Sequence, residues 1–453
     1  MKVSLAKSYI ILFFCGTLLS FQPPKAINQY IEYHTFKKSN LFQVNVNGQR
    51  VFTAEELCFG DSIFHTSQFS VEGETEIVID CVEPIQKFEI RPFSKKIQGY
   101  IKGNKLSFKV SKPEMLMVTI NRLKPLCLFQ TPPETNIPNR NDPNVIYFAK
   151  GVHEPGLISP KSGQTIYLEQ GALVKGRIYA DGVQHVSIKG RGIIDARGYT
   201  DKPKKICALE FKNSSDIRVE GIGLRAGQWW QSLYILCRDV EVSYMNLMSF
   251  GVNNDGIDID GVTNFKASNC FIGCGDDGFG WHALDAQTNG EPPTENCRAE
   301  NCVIYNAHAG NGLRVGASME TRLFRNITFR NIDVLEHANY GIRSDHSDWA
   351  TCENITFENF YIEKPRNAIN MKIEKTIYTN NNGFRDERGN INGLNFNNVQ
   401  TSGGQIVLNG FDKDHSIRKV YFRNCLIKGQ PLTAEDVEVN GFVDKPIIEN
   451  WPN

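Results

Sequence analysis

The chain has 453 residues, and its 50 Lys and Arg residues balance its 50 Asp and Glu residues, so the formal net charge is zero. A balanced charge argues against nucleic-acid binding, which normally shows an excess or a concentrated face of basic residues. It also argues against a membrane-surface role that depends on a basic patch. The length allows two or three domains.

The first 22 residues have the form of a secretory signal peptide. Lys2 and Lys7 flank an apolar run over 9–19 that ends in small or polar residues and is short for a membrane span. A lipid anchor on Cys15 is an alternative that the bulky residues before it disfavour. We therefore expect an exported protein, periplasmic or secreted, that has no transmembrane segment and acts as a monomer.

Residues 23–135 predict a small β-sandwich. Alternating apolar and polar residues occur in QVNVN and EIVID, and turn residues lie between such stretches. The region ends at the Pro- and Asn-rich TPPETNIPNRNDPN (131–144), which predicts a linker. We expect this domain to pack against the following domain and to cap its open end.

A short alternating pattern that ends in Asn or Gly recurs from VSIKG (186–190) to VYFRN (420–424), and it includes VSYMN (242–246). The ends of successive units lie 23 to 39 residues apart, a spacing typical of solenoids. Because the units lack a helical pattern, the sequence predicts an all-β chain in which a right-handed parallel β-helix spans 145–453. The recurring Asn predicts an internal side-chain amide ladder at a tight turn.

The cysteines predict buried thiols. Removal of Cys15 leaves 11 of the 12 cysteines, an odd number for a disulfide framework. The spacing of Cys270, Cys274, Cys297 and Cys302 is a poor zinc pattern. Moreover, Cys270, Cys302 and Cys425 stand where other repeat units have aliphatic residues, as expected of thiols in a core.

Asp255 lies 21 residues before Asp276, and Asp277 follows directly. Because 21 residues is about one coil, we expect these three carboxylates to lie close together, so that at least one pKa is raised. A protonated acid beside ionised carboxylates can hydrolyse a glycosidic bond. The alternative is that all three are turn residues. We interpret Asp258, Asp260 and Asp285 as solvated or turn-forming.

The order of N-N-D-G (253–256), G-D-D (275–277), G-N-G-L-R-V-G (310–316) and G-I-R-S-D (341–345) resembles the polygalacturonases of glycoside hydrolase family 28. The trio and the N-terminal sandwich also resemble family 49, the dextranases and isopullulanases. The resemblance implies that Asp276 is the general acid, that Asp255 and Asp277 activate the attacking water, and that the anomeric centre is inverted. It implies a carbohydrate substrate. We expect no cofactor, and a metal is not favoured because the aspartates lack the D-x-D-x-D-G spacing of a calcium loop.

The sequence departs from the family 28 motifs where substrate would bind. Asn311 replaces the family histidine, for which His308 is a candidate substitute. The family Arg-x-Lys, which is matched to a galacturonate carboxylate, becomes Arg343 and Asp345. A neutral sugar fits this change, and so does an acidic sugar held by Arg314 and Arg343 together. The predicted substrate is therefore an α-linked polysaccharide or oligosaccharide of pectin or α-glucan type.

Aromatic residues near the acidic motifs are further candidates for substrate contact. Trp281 and His282 begin the insert 281–296, where Trp281 either stacks on a sugar or packs under its own loop. Of Trp229 and Trp230, we expect one to face inward and one outward. The predicted substrate contacts are Asn253, Trp281, His282, His308, Asn311, Arg314, Arg343 and Asp345. Asp345, His346, Asp348 and Trp349 form a second group that either binds substrate or is a solvated turn.

Two other functions remain open at this stage. A β-helix polysaccharide lyase would need Ca²⁺, for which Asn253, Asn254 and the aspartates could supply oxygen ligands, together with an acidic sugar. A non-catalytic β-helix would bind glycan without cleaving it.

Overall fold

The computed structural model describes residues 37–284, 286–306, 308–364, 366–379 and 385–451. The predicted signal peptide and Asp285 lie outside these ranges. Within them, no helix has the length and the apolar character needed to cross a membrane.

The N-terminal region folds as two β-sheets packed face to face. Its strands are β1 (Lys37–Lys38), β2 (Phe42–Val46), β3 (Gln49–Val51), β4 (Ala54–Cys58), β5 (Ser62–Ser70), β6 (Thr75–Cys81), β7 (Phe88–Arg91), β8 (Gly99–Lys102), β9 (Lys105–Val110), β10 (Met115–Ile120) and β11 (Leu126–Thr131). One sheet has the order β1-β4-β5-β11-β10-β7 and the other β3-β2-β6-β9-β8. Alternate residues such as Val44, Ile77 and Leu128 fill one apolar core between the sheets, which confirms the predicted sandwich.

The remaining strands form the solenoid. They are β12 (Val145–Phe148), β13 (Gly151–Ile158), β14 (Thr165–Leu168), β15 (Ala172–Asp181), β16 (Gln184–Gly190), β17 (Ile193–Asp195), β18 (Leu209–Lys212), β19 (Ser215–Glu220), β20 (Gly223–Arg225), β21 (Ser232–Ile235), β22 (Arg238–Ser243), β23 (Asn246–Met248), β24 (Ile257–Asp260), β25 (Thr263–Ser268), β26 (Phe271–Cys274), β27 (Phe279–Ala283), β28 (Thr294–Glu300), β29 (Val303–Asn306), β30 (Leu313–Met319), β31 (Leu323–Glu336), β32 (Ile342–His346), β33 (Thr351–Ile362), β34 (Ile369–Ile373), β35 (Asn390–Thr401), β36 (Ile406–Asn409), β37 (Ile417–Arg423), β38 (Leu426–Ile427), β39 (Gln430–Pro431), β40 (Val437–Val439) and β41 (Ile447–Glu449). Short 3-10 helices cover Phe93–Lys95, Ala286–Asn289 and Ala434–Asp436.

Parallel pairing joins most solenoid strands to their equivalents one coil later, for example β21 to β24, β24 to β27 and β27 to β30. This is the predicted right-handed parallel β-helix. Equivalent apolar residues stack inside it: the rings of Phe329, Phe357, Phe396 and Phe422 lie 5.5, 5.1 and 4.6 Å apart. Because the interior is continuous, one core runs through all the coils.

The asparagine ladder exists, but it lies at an outer turn. Asn331, Asn359 and Asn398 each donate from Nδ2 to the Oδ1 of the previous member, at 2.9, 2.9 and 2.7 Å, starting from Asn301. All four have a positive φ of 50–56°, which asparagine tolerates better than most residues. The prediction of an internal ladder is wrong because these amides are partly or fully exposed.

In the repeat unit VSYMN (242–246), the turn position is not held by the asparagine as predicted. Glu220 pairs with Ser243, and Ser243 pairs with Ser268, so Tyr244 (φ 53°) holds the turn position in this coil. Asn246 of VSYMN instead lies buried in β23 and accepts a hydrogen bond from Arg225. A second asparagine ladder, which the sequence analysis missed, links Asn354, Asn326, Asn296 and Asn264.

The cysteines of the described residues are free thiols and all are buried. Cys270, Cys274, Cys297 and Cys302 point into the solenoid core. This agrees with the interpretation of these residues as core thiols.

The sandwich packs along the side of the solenoid, so the prediction that it caps an open end is wrong. Aromatic residues of both domains share one cluster, in which Phe64 stacks on Phe250 at 4.8 Å. Arg225 donates to Glu56 at 2.7 Å, and Arg91 donates to Glu363 at 2.6 Å. These solenoid contacts are several coils apart, which an end cap could not provide.

Candidate active site

Two consecutive turns of the solenoid carry the aspartate trio. Asp255 lies in the turn before β24, and Asp276 and Asp277 lie in the turn before β27. The backbones are joined by hydrogen bonds from Gly256 N to Asp277 O at 2.8 Å and from Gly275 N to Asn254 O at 3.1 Å. The sequence separation of one coil therefore becomes direct contact, as predicted.

A buried asparagine and a glycine fix the shape of these turns. The Asn254 Oδ1 accepts from the backbone N–H of Gly251 at 2.7 Å, and its Nδ2 donates to Trp229 O at 2.8 Å. A Cβ at Gly275 would lie 2.1 Å from the carbonyl oxygen of Gly251. Any side chain there would push the two turns apart and separate the carboxylates.

The three carboxylates converge on one spot. Asp255, Asp276 and Asp277 each offer an oxygen within 4.8 Å of the other two. Asp255 and Asp277 are buried, whereas Asp276 is partly exposed. Burial and the charge of Asp277 raise the pKa of Asp276 to about 6, and the N–H of Asn253 opposes that rise. Burial and the neighbouring aspartates raise the pKa of Asp255 well above its ordinary value.

Asp277 has the most hydrogen-bond donors of the three. Its Oδ1 accepts from the backbone N of Asn311 at 2.8 Å and from Asn311 Nδ2 at 2.6 Å. Its Oδ2 lies 3.4 Å from Nη1 of Arg314. Burial raises the pKa of Asp277, and Arg314 and Asn311 counter the rise because they stabilise the ionised form.

Arg314, Arg343 and Asp345 form a network beside the trio. Arg314 binds Asp345 through Nε at 2.8 Å and through Nη2 at 2.5 Å. Arg343 Nη2 lies 3.2 Å from the same carboxylate and 3.7 Å from Glu374. The arginines hold the pKa of Asp345 below its usual range despite its burial.

Asp258 was missed by sequence reasoning. It was interpreted as solvated, but it is fully buried in β24, opposite Gly280. A Cβ at Gly280 would lie 2.0 Å from Asp258 Oδ1, so glycine makes the room for this carboxylate. Neither oxygen has a hydrogen-bond partner of good geometry among the described residues. Burial and the charges of Asp277 and Asp276 raise its pKa well above the ordinary value.

His282 lies on the same outer face as Asp258. Its Nε2 is 4.0 Å from Asp258 Oδ1, and its ring stacks on Trp230 with centroids 5.8 Å apart. Burial and the cation of Arg314 lower the pKa of His282 to about 3, so the imidazole is neutral near pH 7. Asp260, also predicted as solvated, is buried and accepts from Leu284 N at 2.6 Å.

Several predicted substrate contacts have buried side chains that pack on, or bind, other residues of the protein. Trp281 alternates with His282 along β27, so its indole points into the coil and lies 4.4 Å from Phe329. Asp345 is fully buried under the arginines. Asn311 is buried and uses its amide to hold Asp277.

The remaining candidate residues differ in their exposure and in their contacts. Asn253 is half-buried, and its N–H donates to Asp276 at 3.2 Å. His308 is exposed, and its backbone N–H donates to Asn306. Trp229 and Trp230 stack on each other at 5.3 Å and are both half-buried, so the prediction that one faces inward is wrong. The second predicted group, His346, Asp348 and Trp349 with Asp345, is buried rather than solvated.

The donor atoms could in principle hold a cation. Besides the trio, Asp255, Asp258 and His282 offer donors within 4.8 Å of one another. At the trio, however, Arg314 already places a positive charge 3.4 Å from Asp277. A divalent ion bound there would be repelled by that guanidinium.

Comparison with known proteins shows the family of the chain. The family model "Glycosyl hydrolases family 28" matches residues 163–440, more than half of the chain. The protein is therefore a glycoside hydrolase. It belongs to family 28, as the motifs indicated.

Several solved structures are similar to this chain at low sequence identity. Dex49A from Penicillium minioluteum is 11% identical, with a TM-score of 0.53, and the match covers 91% of this chain and 95% of that one. The Yersinia enterocolitica family 28 exopolygalacturonase is 13% identical, with a TM-score of 0.49 and coverage of 84% and 96%. A Thermotoga maritima exopolygalacturonase is 16% identical, with a TM-score of 0.48 and coverage of 67% and 84%. The Dex49A match supports the fold.

Proposed function

We propose that this protein is an exported, inverting glycoside hydrolase that cleaves an α-linked polysaccharide or oligosaccharide. Asp276 is the general acid, and Asp255 and Asp277 activate the attacking water. The observation that carries this proposal is the meeting of three carboxylates within 4.8 Å, of which Asp276 alone is partly exposed. Family membership supports the reaction class, and the N-terminal segment supports export.

The protonation states follow from the surroundings. Asp276, with a pKa of about 6, holds a proton in mildly acidic solution and faces the open side of the site. Burial raises the pKa of Asp277, and Arg314 and Asn311 oppose that rise because they stabilise its ionised form. A proton donor and a proton acceptor at neighbouring positions are what acid-assisted hydrolysis requires.

The reaction needs one water and no covalent intermediate. Asp276 gives its proton to the glycosidic oxygen as the bond from that oxygen to C1 breaks. The water oxygen, held between Asp255 and Asp277, forms the new bond to C1 from the opposite side. The proton it loses goes to this carboxylate pair and returns to Asp276 through solvent. The reaction thus consumes one water and converts one glycosidic bond into two hydroxyl groups.

The separation of the carboxylates bears on the stereochemistry of the reaction. Inverting enzymes that use two carboxylates usually place them about 6.5–9.5 Å apart, whereas the three groups here lie within 4.8 Å. We assign the water to two carboxylates, Asp255 and Asp277, instead of to one. Proton NMR of the first product tests inversion: a β-anomer from an α-linked substrate is expected, and an initial α-anomer would show retention.

The function is tested by reducing-sugar release from polygalacturonan, rhamnogalacturonan, dextran and pullulan, with and without EDTA. We expect EDTA-resistant release by the wild type and at least a 10³-fold loss in Asp276→Asn. Asn301→Ala, in the ladder on another face, is the matched control and should keep full activity. EDTA-sensitive cleavage with ultraviolet-absorbing products would identify a lyase. Binding without cleavage by the wild type would identify a glycan-binding module.

A further inference from the structure

We propose that the cleft selects a neutral glycan and excludes polyuronates, and that Asp345 sets this choice by neutralising Arg314 and Arg343. This inference rests on the proposed function and adds the substrate class. It is argued from the charges that surround the aspartate trio.

Arg314 cannot offer a free cation to a substrate carboxylate. Two of its nitrogens bind Asp345 at 2.8 and 2.5 Å, in the paired geometry that uses the guanidinium fork most fully. A third nitrogen lies 3.4 Å from Asp277. Its side chain is 16% exposed, so two protein carboxylates occupy the positions that a uronate would need.

Arg343 is engaged through one nitrogen, and its Nε has no hydrogen-bond partner among the described residues. Its Nη2 lies 3.2 Å from Asp345 and 3.7 Å from Glu374. Asp345 is completely buried and therefore cannot swing into solvent to release either arginine. Breaking these pairs would leave a buried carboxylate without its cations, which is costly.

The overall charge balance at this face is negative. Six carboxylates surround the two arginines: Asp255, Asp258, Asp276, Asp277, Asp345 and Glu374. Lys372, the register neighbour of Asp345 in β34, brings the cations to three. On the loop beyond β34, Lys375 pairs with Asp386 and Arg385 pairs with Glu291. Above the pKa of Asp276, which is about 6, the field at the site therefore repels an anionic polymer even with the buried Asp255 and Asp258 protonated.

The surroundings suit the apolar face and the hydroxyl groups of a neutral sugar ring. Trp229 and Trp230 lie half-exposed before the trio. Tyr340 lies 5.7 Å from the Arg343 guanidinium, and Tyr378, 63% exposed, lies 5.5 Å from that of Arg314. Sugar C–H groups can pack on such rings, and carboxylates accept hydrogen bonds from hydroxyl groups.

The test uses substrates that differ only in charge. Polygalacturonate and rhamnogalacturonan are each compared with their carboxyl-reduced forms, which keep the linkage but lose the negative charge, and dextran and pullulan are added. We expect cleavage of one or more neutral polymers at a rate at least tenfold above that of every uronate polymer. Faster cleavage of a uronate polymer would overturn this inference and leave the proposed function standing. Cleavage of none of these substrates would overturn the proposed function itself, and this inference with it.

A binding experiment tests the electrostatic cause. In the inactive Asp276→Asn background, Asp345→Asn should bind polygalacturonate at least tenfold more tightly, because both arginines lose their shared partner. Glu374→Gln, which touches Arg343 alone, is the matched control and should have a smaller effect. Thermal unfolding shows whether each variant is folded.

Salt dependence gives an independent result that needs no change at Asp345. In the wild type above about pH 6, polygalacturonate should inhibit cleavage of a neutral substrate more strongly as salt rises, because screening relieves a repulsion. Inhibition that weakens with salt would show attraction to the uronate and would overturn the inference.

Discussion

Asn311 donates two hydrogen bonds to one carboxylate oxygen of Asp277, from its backbone N at 2.8 Å and from its side-chain amide at 2.6 Å. Its own Oδ1 accepts from the N–H of Tyr340 at 3.2 Å. Asn311 thus joins two successive turns and orients the carboxylate that we assign to water activation. It acts as a positioning residue.

Asn311→Ala should lower kcat more than it raises KM. A carboxylate that loses its orientation by about 1 Å costs about 10²-fold in rate, whereas sugar binding does not depend on this amide. The steady-state parameters on the best substrate of the panel measure both effects. Equal kcat with a raised KM would instead mean that Asn311 contacts the substrate, as the sequence first indicated.

Arg314→Ala should destabilise the fold at neutral pH. It leaves the buried Asp345 carboxylate without its bidentate partner, a loss of about 3–5 kcal/mol for buried pairs. Because Arg314 lowers the pKa of Asp345, the wild-type advantage exists above the unfolded-state pKa and is lost as pH falls through the folded-state value. Urea unfolding at several pH values measures this.

The control for Arg314 is Arg325→Ala. Arg325 pairs with Glu295 at 2.7 Å but is 44% exposed, so its loss should cost less than about 1 kcal/mol. Equal effects of the two substitutions would contradict the importance assigned to the buried network.

Asp258→Asn should stabilise the protein at neutral and alkaline pH. The folded state raises the pKa of Asp258, so the wild type loses stability as pH rises from the unfolded-state value through the folded-state value. The neutral amide avoids that loss. Thermal unfolding should show a gap between variant and wild type that shrinks toward pH 4. A variant that is less stable than wild type at pH 8 would show that the Asp258 anion is needed for folding.

The fold could be predicted from the sequence because each sequence repeat corresponds to one coil, and the coils stack on one another. The sequence also predicted the meeting of Asp255 with Asp276 and Asp277, since 21 residues is close to one coil. It failed at Asn246 because the pattern of apolar residues cannot tell which residue adopts the left-handed turn conformation. Tyr244 does so in this coil, and tyrosine gives no signal for it.

The wrong predictions within the site have two causes. One is the alternation of inward and outward side chains along a strand, and the other is the pairing of residues between neighbouring coils. In F-G-W-H-A, the apolar residues Phe279, Trp281 and Ala283 alternate, a signal that Trp281 faces the core and His282 faces outward. Asp258 was missed because its burial depends on Gly280 in the next coil, and only the aligned strands show that pairing.

The central claim is that Asp276 supplies the proton, and the pH dependence of kcat/KM tests it most directly. With a pKa of about 6, Asp276 is protonated below that pH and ionised above it, so wild-type activity should fall tenfold per pH unit above about pH 6. The residual activity of Asp276→Asn should lack this alkaline limb, because the amide does not titrate. Wild-type activity that stays constant to pH 8, or an unchanged limb in the variant, would contradict the assignment of Asp276 as the general acid.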